Sequence, residues 1–168
     1  MKRFLFALTT ALLIMVAPIA AQTEEPKYLL TIGAGFNDYT TPKITQTGTV
    51  GIRIAEGLYS TTSLDLATKL QDDGTRVTVS TIRTGAQRIL TRQGPVTLAA
   101  SGDIGLAAGD ALTGAFSGGG TLAYALPKRL GPMFVFGSVR IIKSPQNEAP
   151  NPATVQTAFT FGIGYALK

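Results

Sequence analysis

Residues 155–168 alternate between large apolar side chains and small or polar ones. Val155, Thr157, Phe159, Phe161, Ile163, Tyr165 and Leu167 fall on one parity; Gln156, Ala158, Thr160, Gly162, Gly164, Ala166 and Lys168 fall on the other. Successive side chains of a strand point to opposite faces, so a period of two describes a strand with one apolar and one small face, and does not fit the 3.6-residue period of an amphipathic helix. The same pattern recurs upstream. Leu30, Ile32, Ala34 and Phe36 alternate with Thr31, Gly33, Gly35 and Asn37. Val50, Ile52 and Ile54 alternate with Gly51, Arg53 and Ala55, and Val96, Leu98, Ala100, Ile104 and Leu106 with Thr97, Ala99, Ser101, Asp103 and Gly105.

Eight such segments are predicted, at 27–38, 46–56, 58–69, 75–90, 95–108, 114–126, 132–143 and 154–168. Glu56-Gly57, Arg92-Gln93-Gly94 and the stretch 128–131 are short turns, whereas the connections at 39–46, 71–75, 109–113 and 144–153 are mostly longer or more polar. Pro26, Pro42, Pro95, Pro127, Pro132, Pro145, Pro150 and Pro152 all fall in connections or at strand ends, where no ladder N–H is lost. An even number of strands with short turns at one end and longer loops at the other predicts an all-β fold, an eight-stranded antiparallel up-and-down transmembrane β-barrel.

The direction of the faces decides the environment. A soluble barrel fills its inside with large side chains and shows water a polar, charged surface. Only 15% of this chain is charged, and the small face of the strand at 95–108 offers Asp103 alone. The apolar face suits lipid, since a closed barrel satisfies its own backbone groups, and Gly, Ala, Ser and Thr suit the crowded interior of eight strands. The main rival is a secreted, soluble lipocalin-like barrel carrying an apolar ligand. It would leave wide apolar bands in water, and the chain has no Trp for the early Gly-x-Trp of that family. A small ion-conducting pore is a further alternative.

Met1-Lys2-Arg3, the apolar run 4–16 and the small residues before Gln22 have the form of a secretory signal peptide, residues 1–21, with cleavage expected after Ala21 and an uncleaved membrane anchor as the alternative. Residues 22–168 then form a single barrel domain. Of 15 Lys and Arg, two leave with the leader; the remaining 13 stand against 10 Asp and Glu, a formal charge of +3. They are scattered, with no basic stripe, and predict no nucleic-acid partner. The absence of Cys rules out disulfides and thiol nucleophiles, and the absence of His rules out imidazole bases and His-ligated metals. Gly118-Gly119-Gly120 lacks the Lys-Ser/Thr of a phosphate loop, and Asp72-Asp73-Gly74 lacks the continuing ligands of a calcium loop. No catalytic residue, metal or cofactor is expected, and the chain is not expected to be an enzyme.

Tyr28, Tyr59, Tyr124 and Tyr165 fall at the short-turn ends, as an interfacial aromatic girdle would. Tyr59 opposes Leu64 and Leu66 in parity, so this role requires a bulge. Asp65, Asp103 and Arg140 fall on the small face at similar depth. Arg83 reaches that depth too, but its parity conflicts with Val77 and Val79, and turning it inward requires a bulge near Thr81-Ile82. Asp65, Arg83 and Asp103 are then expected to form a lumen ladder, with Arg140 nearby and Arg53 one layer lower. Structural charge pairing is the favoured role, a gate or ion path the alternative.

Thr160, Gly162, Tyr165 and Leu167 lie in a polar-x-Gly-x-x-aromatic-x-hydrophobic run that resembles the β-signal by which bacterial outer-membrane barrels are recognised by their assembly machinery. Residues 27–168 resemble the small eight-stranded barrels of the OmpA transmembrane domain and OmpX kind. The resemblance implies a Gram-negative outer-membrane location with both termini in the periplasm. It also implies the lipid bilayer and, during biogenesis, the assembly machinery as partners, with no obligate protein partner. A structural, surface-contact or minor solute-passage role follows.

Overall fold

A computed structural model describes residues 25–37, 43–70, 74–108, 112–144 and 154–168; the leader at 1–21, Asp72 and Asp73 lie outside them. The strands are β1 (Tyr28–Asn37), β2 (Lys43–Ala55), β3 (Leu58–Leu70), β4 (Arg76–Gln93), β5 (Val96–Ala108), β6 (Leu112–Ala125), β7 (Met133–Ser144) and β8 (Thr154–Leu167). Each pairs antiparallel with its sequence neighbours, and β1 pairs with β8 to close the barrel. At the short-turn end Tyr28 stands opposite Ile52 on one side and Leu167 on the other. All eight segments expected from the alternation are present. β4 runs three residues past its expected end because its register against β5 shifts between Ile89 and Thr91, so the ladder continues to Gln93.

The short connections are built from residues suited to them. Gly57 (φ 64°) and Gly94 (φ 56°) turn β2 into β3 and β4 into β5 in the left-handed region that glycine enters without steric cost. β6 and β7 are joined through a single 3₁₀ turn at Lys128–Leu130, bounded by Pro127 and Pro132. The described prolines all lie outside the strands.

The apolar parity faces outward on every strand. Ile32, Ile44, Leu64, Ile82, Ile104, Phe116, Ile141 and Phe161 are exposed, while the buried hydrophobic residues among those described are Tyr59 and three alanines, Ala99, Ala115 and Ala158. The interior is thus narrow and made mostly of small residues, and its tightest points fall at inward-facing glycines. A Cβ added at inward-facing Gly85 would lie 2.6 Å from the Cα and Cβ of Asp103 on β5; one added at outward-facing Gly102 meets nothing within 4 Å. Gly85→Val should therefore cost about 1–3 kcal/mol of stability, as overpacking typically does, with Gly102→Val near neutral. Urea-unfolding midpoints of the two refolded variants test this, and equal midpoints would contradict it.

Candidate functional site

Regular alternation along β3 brings Tyr59, Thr61, Ser63 and Asp65 to the lumen, and along β4 it brings Arg83 there. The β3–β4 ladder runs unbroken from Leu58 opposite Arg88 to Leu70 opposite Arg76. The bulge expected near Thr81-Ile82 is therefore not present. Arg83 needs none, because Val79 shares its inward parity and the apolar surface of β4 is carried by Ile82 and Leu90.

Arg83 is the centre of the site, with its side chain 3% exposed. Its Nη2 pairs with Asp65 Oδ2 on one side, and its Nη1 lies 3.4 Å from Asp103 Oδ1 on the other. The same Nη1 donates to Ser117 Oγ at 3.2 Å, and the Ser117 hydroxyl donates to Asp103 Oδ1. Arg140 Nε stands 3.7 Å from Asp103 Oδ2. Five consecutive strands, β3 to β7, thus each contribute one group to a formally neutral cluster of two cations, two carboxylates and a hydroxyl. Glycines make the room. A Cβ at Gly105, opposite Arg83, would strike the Arg83 Cγ, and Gly119 stands opposite Arg140.

On the short-turn side of the cluster lies a cavity of about 170 Å³. Asp103 and Arg140 line it at the cluster, and Gly94, Pro95 and Pro132 line it near the turns. Its walls are Thr and Ser hydroxyls on β2, β3 and β5 and the rings of Phe134 and Phe136 on β7. These rings face inward because β8 and β1 oppose them with glycines. Gly164 abuts the Phe134 ring, and a Cβ at Gly33 would sit 3.1 Å from Phe136 Cζ.

The mouth of the cavity is crossed by the segment preceding β1. Glu25 Oε2 accepts from Gly57 N at 2.8 Å, and Glu25 Oε1 lies 3.8 Å from Arg92 Nη2. Arg53 Nη1 donates to the Glu25 carbonyl at 2.8 Å. Arg53, expected one layer below the ladder, lies at this mouth, exposed and beside the register shift near the end of β2. Tyr59 is a second correction. It is completely buried inside the barrel, where its hydroxyl donates to the Pro26 carbonyl at 2.9 Å, and so it is not part of an outer girdle. A large side chain with a polar tip both fills the narrow mouth and satisfies a buried carbonyl.

Tyr28, Tyr124 and Tyr165 do lie on the outer parity. Tyr124 stands opposite Val96 and Val135, and Tyr165 opposite Leu30 and Met133. In the C-terminal run, Thr160 and Gly162 face the lumen, whereas Tyr165 and Leu167 are exposed on the outside. Sequence reasoning missed Ser117, Glu25 and the phenylalanine wall. Asp103 and Ser117 share a register position that only the pairing reveals.

No protein-family model matches the sequence, and no curated protein matches it. Among solved structures the chain is similar to the crystal structure of Neisserial surface protein A (NspA), with a TM-score of 0.61 over 83% of this chain and 96% of that one, at 14% identity. The likeness is one of fold. The solution NMR structure of the de novo designed TMB2.3 has a TM-score of 0.49 at 12% identity, over 88% of this chain and 99% of that one.

Removing Arg83 would leave the buried Asp65 carboxylate without a cation and Asp103 with Arg140 alone. Arg83→Met should cost about 3–5 kcal/mol, the usual penalty for breaking a buried pair, and Asp65→Asn on the same chain, which leaves Asp103 paired with Arg140, should restore much of it. Denaturant titration of the folded protein checks both expectations; a single variant as stable as the parent would remove the cluster from the stabilising core.

Proposed function

We propose that the chain is a non-catalytic outer-membrane β-barrel of the bacterial cell envelope, exported by its leader, with a structural, surface-contact or minor solute-passage role. The observation that carries this is the outer surface. Exposed Leu, Ile, Val and Phe encircle the barrel on every strand, while hydroxyls, glycines and ion pairs fill its inside. Such a belt in water would exceed by far the apolar patch a soluble monomer shows, whereas in hydrocarbon it needs no cover, because the closed ladder leaves no backbone group unpaired. A soluble lipocalin-like carrier would need the opposite arrangement, with the large apolar side chains around a central ligand. The fold shared with a protein described as a surface protein agrees with the membrane reading. Tyr165 and Leu167, exposed together on β8, are in place to be read by an assembly machinery as the terminal signature implies.

The Arg83 cluster stands across the lumen and favours a closed barrel over a pore. Fractionation of expressing cells, with heat-modifiability on a denaturing gel, tests the location: the protein should sediment with outer membranes and shift in mobility on boiling. Recovery from the soluble periplasm without detergent would sink the proposal. Planar-bilayer recording should give no sustained conductance, and ohmic steps would transfer the assignment to a pore. Ile104→Arg, in the middle of β5, should lower folding stability in bilayers by about 2–4 kcal/mol, the penalty for a cation on the lipid face near the midplane. A loss near zero in a lipid-folded sample would place Ile104 outside the hydrocarbon.

A further inference from the structure

The short-turn end of the barrel is chemically lopsided. From the β6–β7 connection through β8 and β1 to β2 stand Lys128, Arg129, Lys168, Lys27 and Arg53, all exposed. They form one continuous arc: Ala166 N donates to the Pro132 carbonyl at 2.8 Å, Lys27 N to the Leu167 carbonyl at 2.7 Å and Arg53 N to the Lys27 carbonyl at 2.9 Å. Glu25, the acid on this arc among the described residues, points its carboxylate into the mouth toward Gly57 and Arg92. Among the described residues no carboxylate stands within salt-bridge distance of Lys27, Lys128 or Arg129.

The three outward tyrosines lie on this same arc, Tyr124 at the end of β6, Tyr165 on β8 and Tyr28 at the start of β1. On the other side stand Glu56 on the β2–β3 turn, Arg88 exposed on β4, and Arg92, whose guanidinium is drawn to Glu25 across the mouth; the tyrosine beside them, Tyr59, is inside the barrel. Lys27 Nζ sits 5.5 Å from the Tyr28 ring centroid. The Tyr165 hydroxyl reaches the level of the connection, where a Cβ on Gly131 would lie 3.7 Å from it. Moving along the barrel toward the short turns on this side, one meets exposed Ile163, Phe161 and Val135, then phenol rings, then ammonium and guanidinium groups. That order matches acyl chain, glycerol ester and phosphate.

We infer that this arc is a binding surface for anionic glycerophospholipids of the leaflet that meets the short turns. The inference rests on the membrane reading and deepens it, since it assigns one side of the barrel a headgroup preference. A nucleic acid or an acidic peptide would meet the cations but leave the tyrosines and the apolar strands beside them unused. A phospholipid uses all three layers. Guanidinium groups bind phosphate oxygens through paired N–H donors, and tyrosines settle at the ester level of a bilayer.

The full chain, folded into phosphatidylcholine vesicles and shown to be folded by its heat-modifiable band, is titrated with spin-labelled phosphatidylglycerol or phosphatidylcholine. Association with the anionic lipid should be about fivefold stronger or more, the equivalent of roughly one Lys or Arg contact with an anionic surface. The triple variant K27Q/K128Q/R129Q should bring the two lipids to within about twofold of each other, by loss of those contacts. The variant K43Q/R76Q/K143Q, which loses as many cations at the long-loop end, should keep the preference. Equal binding of both lipids by the folded parent chain, or equal loss in both triple variants, would overturn the inference and leave the membrane reading standing. Failure to insert into the vesicles would overturn the membrane reading itself. Retention of polyglutamate by the arc with no lipid preference would give the surface to an acidic protein instead.

Discussion

The ladder between β1 and β8 is the constraint from which the other features follow. Once Tyr28 and Leu167 stand opposite each other at one end and Asn37 and Ala158 at the other, the sheet has no edge. A closed sheet can present an entirely apolar exterior, since no strand offers unpaired N–H and C=O groups to solvent or lipid. Closure on only eight strands also sets the interior. The lumen is too narrow for large side chains on every strand, and so the inward parity is written in Gly, Ala, Ser and Thr. Phe134 and Phe136 are admitted only where Gly164, Gly162 and Gly33 yield the space.

Within that narrow space the charges are arranged so that none is left alone. Burying an isolated ion costs several kcal/mol even after relaxation, and a buried pair recovers this only with good geometry and further hydrogen bonds. Arg83 has a carboxylate on each side, and Asp103 is held by two arginines and a hydroxyl. The formal charges sum to zero, and the guanidinium groups fill lumen volume between the strands. The cavity survives on the short-turn side, where Ser and Thr replace charge.

Much of this was legible from parity alone. Eight strands, their order, the outward apolar face and the depth of Asp65, Asp103 and Arg140 all follow from a period of two and the positions of glycine and proline. The errors share one cause. A count of parity reads Val77 and Val79 as the lipid face of β4 and sets Tyr59 against Leu64 and Leu66. Near its ends a barrel strand leaves the hydrocarbon zone, so a branched apolar residue there can face inward and a tyrosine can serve as a plug. Arg53, read one layer below the ladder, reaches the mouth beside the register shift between Arg53 and Ala55, where it meets the Glu25 carbonyl. Glu25 carried no signal at all. It precedes the first strand, and its value comes from crossing the mouth to reach Gly57 and Arg92, a meeting that only closure creates.

The charge cluster spans β3 to β7 and leaves β8, β1 and β2 without an ion at that level. The two halves of the barrel are therefore keyed differently. Sliding β4 against β3 by two residues keeps every side chain on its proper face, and so hydrophobicity alone cannot forbid it. The slip would nonetheless carry Arg83 about 7 Å from Asp65, two residues of strand rise, and leave that buried carboxylate without its cation. Charge thus acts as an alignment mark for the five middle strands. The β1–β8 seam carries no such mark, and its alignment falls to shape, through glycines such as Gly35 and Gly162 that fit against the neighbouring backbone.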